Sequence, residues 1–337
     1  METYKVLRST LKAPRKFLLP LSFGPSSTCL LYILDNQLQT QLVRMGRVTY
    51  ELLLVHVDST GISPESSDLT TLLEMVKTRF PTHTFISKKL EEVLHLDNFD
   101  LNAISVGKPQ NEASSLPDSD RLRSLLESAP SATSRADIVS VFLLRLLVHT
   151  AKANDCESIL FGDSTTRLAE KTLAETAKGR GISLPWQISD GMSPLGVNFH
   201  YPLRDLLKKE LITFSSLTSP PLTDLIMHQS TSSQVSASSK STTIDDLMAQ
   251  YFESVEESFP SIVTNVVRTL GKLSVPVFVG DRDSCGICRL PVHRETNEIY
   301  GWTGDQNSNA VSNQPQDKHS LTLCYGCARS INGWGKR

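Results

Sequence analysis

The sequence predicts an α/β protein: a doubly wound, mostly parallel sheet followed by a small cysteine-bearing C-terminal element. Three observations lead there. Short apolar runs alternate with helix-period segments, two of these runs end in polar turns that open helices, and four of six cysteines fall in two C-x-x-C pairs near the end. With 337 residues, 39% of them apolar, the chain can bury one large core and something smaller beside it.

Residues 1–16 carry Lys5, Arg8, Lys12, Arg15 and Lys16 against a single Glu2. They are expected to form a basic lead-in helix, either touching a phosphate backbone or simply solvated. An α/β domain is then expected over residues 17–227. Phe17 to Thr28 reads as an apolar strand running into a turn of small hydroxyl residues around Gly24, with a helix following from Cys29. A helix N-terminus offers free N–H groups and a positive dipole end, so Ser22, Gly24, Ser26 and Ser27 form a candidate anion loop. The loop is degraded for that purpose. Phe23 stands where close backbone approach favours glycine, and no acidic residue is present to hold magnesium.

The run Glu51–Val57 fits a strand buried on both faces, residues 68–79 a helix, and residues 82–87 a third strand. Residues 106–135 turn to Ser, Pro, Asn and Asp, which suggests a surface insertion with a short Leu-rich piece inside it. Ser134-Arg-Ala-Asp137 has the form of a capping box before an apolar helix, 138–149, in which His149 is expected to be a core histidine. Residues 158–161 form the next strand and deliver Gly162, Asp163 and Ser164 at its carboxyl end, ahead of a helix stopped by Gly179. In sheets of this kind ligands bind beyond the strand carboxyl ends, where both polar turns would lie.

Tyr201 to Leu211 leads into a basic helix, residues 228–243 form a low-complexity linker, and a helical segment spans 244–275, opened by a Thr243-to-Asp246 capping box. The remaining residues, 276–337, hold Cys285-Gly-Ile-Cys288 and Cys324-Tyr-Gly-Cys327. Two thiolates three positions apart around a tight turn can face one ion, and four complete a tetrahedron. A shared structural zinc fits this pattern; redox-active pairs or an iron–sulfur cluster are the alternatives. Cys29 and Cys156 have no neighbouring cysteine and are expected to be buried packing.

A net charge of -2 argues against wholesale coating of nucleic acid, and no run approaches the length of a membrane span. A soluble, cytosolic protein is expected. Asp163 suits a ribose, a metal or a helix cap. Arg167 and Arg204 suit phosphate, or pairing with Asp163 and Asp205 inside the fold.

Ser22-Phe-Gly-Pro-Ser-Ser27, Leu160-Phe-Gly-Asp-Ser-Thr-Thr-Arg-Leu-Ala169, Lys178-Gly-Arg-Gly181, Pro202-Leu-Arg-Asp205 and the two cysteine pairs occur in an order that resembles the cytoplasmic tRNA 2-thiolation protein 2 family. The similarity runs from about residue 5 to Arg329. That family is related to PP-loop ATP pyrophosphatases, whose Ser-Gly-Gly-type loop grips ATP so that a base carbonyl is adenylated and displaced by sulfur. The resemblance implies a subunit that helps make 2-thiouridine at the wobble position of lysine, glutamine and glutamate tRNAs. It implies a heterodimer with a related catalytic subunit, and sulfur delivered as a thiocarboxylate on a ubiquitin-like carrier protein. Ser22, Gly24, Ser26 and Ser27 match the remnant loop, with Gly162 and Asp163 beside it; Phe23 replaces its second glycine, which argues against ATP in this subunit. Lys12, Arg15, Lys16, Arg167 and Arg204 are the expected tRNA contacts. An ATP-hydrolysing thiolation subunit and a zinc-dependent adaptor without RNA contact are the rival readings.

Overall fold

The computed structural model describes residues 14–59, 69–96, 116–227, 241–273, 284–292 and 323–333. Arg15–Pro20 forms β1 and leads into helix α1 (Pro25–Met45); Tyr50–Asp58 (β2) leads into α2 (Leu69–Arg79), and Thr84–Lys89 forms β3. Helices α3 (Asp118–Glu127) and α4 (Ala132–Ala153) precede β4 (Ser158–Leu160) and α5 (Thr165–Ala177). After α6 (Leu184–Ile188) come β5 (Gly191–Met192), β6 (Asn198–His200) and α7 (Lys208–Leu217). Helices α8 (Ile244–Ser258), α9 (Pro260–Leu270) and α10 (Tyr325–Asn332) follow.

The six strands lie in the order β3-β2-β1-β4-β6-β5, with only the short edge strand β5 antiparallel to its neighbour. The pleat divides β1 between two cores. Phe17, Leu19 and Leu21 join Leu52 and Leu54 under α1, α2 and α7, while Leu18 joins Leu53, Val55 and Ile159 under α4, α5, α8 and α9. Helices on both faces explain why β2 is an unbroken apolar run rather than an alternating one. A third cluster packs Leu122, Leu125 and Leu126 with Phe142, Cys285, Cys288, Cys327 and Ile331, so the cysteine segments are seated on α3 and α4.

Several local expectations are corrected. Arg15 and Lys16 belong to β1 rather than to a helix, because Arg15 to Pro20 pairs in register with Tyr50 to Val55; residues 1–13 lie outside the described residues. Helix α1 begins at Pro25, four residues before Cys29, with Gly24 as its cap. Within the polar stretch 106–135, residues 118–127 form a helix whose leucines are buried in the third cluster; residues 106–115 lie outside the described residues.

Helix α4 is capped by Ser131, whose hydroxyl accepts from Ser134 N at 3.0 Å, and not by the Ser134–Asp137 pattern. Asp137 is withdrawn from capping because it is buried against Arg180. His149 is exposed, since α4 turns that side to solvent. The Thr243–Asp246 box is present in both directions, Asp246 N to Thr243 Oγ1 at 3.0 Å and Thr243 N to Asp246 Oδ2 at 2.9 Å. The low-complexity residues 228–240 lie outside the described residues.

Candidate functional site

Strands β1 and β4 are neighbours, yet the chain leaves β1 toward β2 on one side and β4 toward β6 on the other. This is a topological switch point, the place beyond the strand carboxyl ends where sheets of this kind bind their ligands. The turn after β1 together with the start of α1 holds Ser22 to Ser27, and the turn after β4 holds Gly162 to Ser164. They meet directly: a Cβ on Gly162 would lie 2.8 Å from Ser27 Cα and 3.0 Å from Ser27 N. Glycine at 162 is thus what lets the second turn lie over the first turn of α1.

The Ser22 and Ser27 hydroxyls bond within the loop, whereas Thr28 Oγ1, one residue further on, is buried with no hydrogen-bond partner among the described residues. Ser22 and Ser27 hydroxyls are 3.1 Å apart, Ser27 Oγ donates to Gly24 O at 3.1 Å, and Gly24 N donates to Ser22 Oγ at 3.4 Å. Pro25 at the first helical position has no N–H to offer an anion. Phe23 takes a left-handed φ of 58° and sends its ring into the core, fully buried, while its carbonyl accepts from Met227 N at 2.9 Å. Its ring lies beside His56, whose Nδ1–H donates to Leu21 O at 2.7 Å. Burial holds this imidazole below its ordinary pKa, against the pull of the Leu21 carbonyl and Asp58.

Asp163 is not the cap of α5. Ser164 is, its hydroxyl accepting from Arg167 N at 3.2 Å, while Asp163 Oδ2 lies 3.9 Å from Lys171 Nζ. Arg167 keeps its side chain about half exposed and donates to Glu170 at 2.9 Å, so it does not pair with Asp163 by a direct hydrogen bond. Arg204, half-buried just past β6, lies against Gly271 at the end of α9.

Arg15 and Lys16 sit at the opposite, amino end of β1, where Arg15 makes a two-pronged ion pair with Glu157. At about 3.3 Å per residue, the six residues of β1 separate that end from the loop by roughly 20 Å. The candidate cations therefore fall into two groups, and Lys12 lies outside the described residues. Cys29 Sγ donates to Leu211 O at 3.4 Å, and burial pushes its thiol up to about 11, opposite to activation by a helix dipole. Burial raises Cys156 as well.

The second centre is the cysteine cluster. The Sγ atoms of Cys285, Cys288, Cys324 and Cys327 all lie within 4.8 Å of one another, with Cys288 and Cys324 at 3.6 Å. Ligands about 2.3 Å from one tetrahedral ion would be about 3.8 Å apart, so the four sulfurs fit a single metal ion. Each knuckle is held by an arginine of the α/β body. Arg145 on α4 donates to Ile287 O at 3.1 Å, and Arg180 approaches Cys327 Sγ at 3.5 Å and Cys324 Sγ at 3.9 Å. Arg180 also grips Asp137, which accepts from Ser330 Oγ on α10 at 2.5 Å. Burial works to raise the Asp137 carboxyl, but the charge and hydrogen bonds of Arg180 outweigh it and keep it ionised. The sequence signals Arg180 only through the Lys178-Gly-Arg-Gly181 motif and Asp137 only through a capping pattern, and nothing local in it points to Arg145 or Ser330.

A family model described as cytoplasmic tRNA 2-thiolation protein 2 matches residues 243–329, which include both cysteine pairs. A protein of that description from Sclerotinia sclerotiorum is 58% identical over 275 residues, covering 81% of this chain and 73% of the relative. One from Phaeosphaeria nodorum is 50% identical over 320 residues, covering 94% of this chain and 81% of the relative. Among solved structures, the U34-tRNA thiolase NcsA from Methanococcus maripaludis with its 4Fe-4S cluster superposes with a TM-score of 0.54 at 14% identity. That match covers 86% of this chain and 82% of the thiolase, and it establishes a shared fold. Identity at this level over most of both chains makes this protein a member of the cytoplasmic tRNA 2-thiolation protein 2 family.

Proposed function

We propose that the chain is the non-catalytic, tRNA-binding subunit of a cytoplasmic complex that installs 2-thiouridine at the wobble position of lysine, glutamine and glutamate tRNAs. One observation carries the reading. At the switch point, where sheets of this kind bind nucleotides, the Ser22 and Ser27 hydroxyls bond to each other and to Gly24, and the Gly162 turn packs against Ser27. The loop also lacks a carboxylate for magnesium. Activation of the base carbonyl then falls to a related subunit in a heterodimer, with sulfur brought by a thiocarboxylated ubiquitin-like carrier.

The family membership and the thiolase fold support this role, and the cysteine cluster supports a structural zinc. A cubane of four irons would hold its thiolates further apart than these sulfurs lie, which favours a single ion. Four thiolates close the coordination sphere, so the ion would serve folding and leave the reaction to other groups. Phosphate contacts are assigned to Arg167 and Arg204 at the carboxyl end, to Arg15 and Lys16 at the other, and to Lys12, which lies outside the described residues.

The test is tRNA-dependent pyrophosphate release, measured for this chain alone and mixed with the related subunit, with mass spectrometry of the wobble uridine. Release only from the mixture, unaffected by Ser22→Ala, is the expected result. Release from the isolated chain would instead mark an ATP-using subunit. Charge reversal at Arg167 and Arg204, against reversal at Arg15 and Lys16, separates the two ends: each lost phosphate contact lowers the salt slope of tRNA binding by about one. An adaptor that does not touch RNA would show no change at either end.

A further inference from the structure

The turn that leaves α5 and the second cysteine knuckle interlock at two points. A Cβ on Gly326 would lie 2.5 Å from Arg180 Cγ, and a Cβ on Gly179, at φ +82°, would lie 2.5 Å from the Tyr325 ring. Each glycine makes room for a side chain of the other segment. Inside this joint the Arg180 side chain is 5% exposed and that of Asp137 2%.

A guanidinium this deep needs anionic partners, because the effective desolvation cost of a buried ion is several kcal/mol. Asp137 supplies one and Glu175, 3.9 Å from Arg180 Nε, a more distant second, but both are shared with Lys178, which lies 3.6 Å from Asp137, 2.6 Å from Glu175 and 3.2 Å from Asp245. The remaining N–H groups of Arg180 point at Cys324 and Cys327. Sulfur accepts a hydrogen bond well when it is ionised, as it is on a metal. Four thiolates around one divalent ion leave negative charge in excess, and the Arg180 guanidinium lies against two of the four sulfurs.

We propose that Arg180 is a positioning residue for the metal ligands. Its guanidinium orients the Cys324 and Cys327 thiolates, offsets their charge, and ties them through Asp137 to α4. Metal retention and the seating of α10 on α4 are then one equilibrium. The proposal rests on the metal reading of the four cysteines, and the experiment keeps the two apart.

The full chain is purified, its zinc counted by mass spectrometry, and zinc release into an excess of chromophoric chelator timed. Arg180→Met keeps a side chain against Gly326 but removes the charge and the N–H groups. It should release zinc roughly 10–100-fold faster than wild type, the usual loss of metal affinity when a hydrogen-bond partner of a ligand is removed, carried by the release rate. In the cobalt-substituted protein, its thiolate-to-metal charge-transfer band should shift. Arg180→Lys should fall between. Leu147→Ala, in the other core, serves as the comparison for lowered stability alone.

If Arg180→Met releases zinc no faster than Leu147→Ala, the proposal is overturned while the metal reading stands. If Arg180→Met does not fold, Arg180→Lys decides: a wild-type release rate and cobalt spectrum overturn the proposal equally. A wild-type chain without stoichiometric metal would overturn the metal reading, and the proposal with it.

Discussion

The ring of Phe23 lies 5.0 Å from the imidazole of His56, a contact that anchors the loop after β1 to the strand beside it. Phe23 holds this place at a left-handed φ that disfavours side chains, so the buried ring must outweigh the strain. Phe23→Ala is expected to lower stability by about 3–4 kcal/mol, as a large aromatic leaves the core without relief of the backbone. Phe23→Gly removes the same ring but recovers about 1 kcal/mol from the backbone. It should therefore melt at or above the temperature of the alanine variant in calorimetry. Neither variant should gain pyrophosphate release.

Gly162 has no such latitude. Its missing Cβ faces Ser27 Cα and N, atoms of a helix backbone that cannot swing aside. Gly162→Ala should lower stability by about 2–3 kcal/mol, the upper part of the range for overpacking. Hydrogen exchange should show the loss concentrated in the first turn of α1, with α2 as the unaffected reference.

Two buried histidines give the stability a pH dependence with a defined sign. Burial lowers the pKa of His56, and lowers that of His83 despite its 3.0 Å contact with Asp35. Each therefore binds fewer protons in the fold than in the unfolded chain once pH drops below the ordinary histidine value of about 6.5. Stability is held at pH 7 and above and declines as pH falls through that value toward the folded-state pKa. Melting temperatures between pH 7.5 and 5 should record this decline. The slope should be shallower in a His56→Gln, His83→Gln double variant.

Removing the metal tests the C-terminal element as a unit. In zinc-finger peptides a structural ion contributes on the order of 10 kcal/mol to the folded form, and Cys285 and Cys327 are both buried in the third core cluster. Cys285→Ser, or a strong chelator on the wild type, should abolish the proposed metal binding and free α10 to protease cleavage. The sheet should persist, because its two cores contain none of the four cysteines. A fall of the whole circular dichroism signal on chelation would contradict that division.

What the chain determined by itself was local. The Thr243 box, the apolar run of β2 and the two C-x-x-C knuckles were legible because cap, strand and metal turn each depend on residues within a few positions. The same locality misled at Ser134–Asp137, where a capping pattern competes with an ion pair to Arg180, 43 residues away. Only the tertiary structure decided that Gly162 closes over Ser27, that Arg15 pairs with Glu157 across 142 positions, and that Arg167 and Arg15 serve opposite ends of the sheet. Pairings across such distances leave no period in the sequence; strand order fixes them, and strand order is settled by which faces the helices bury.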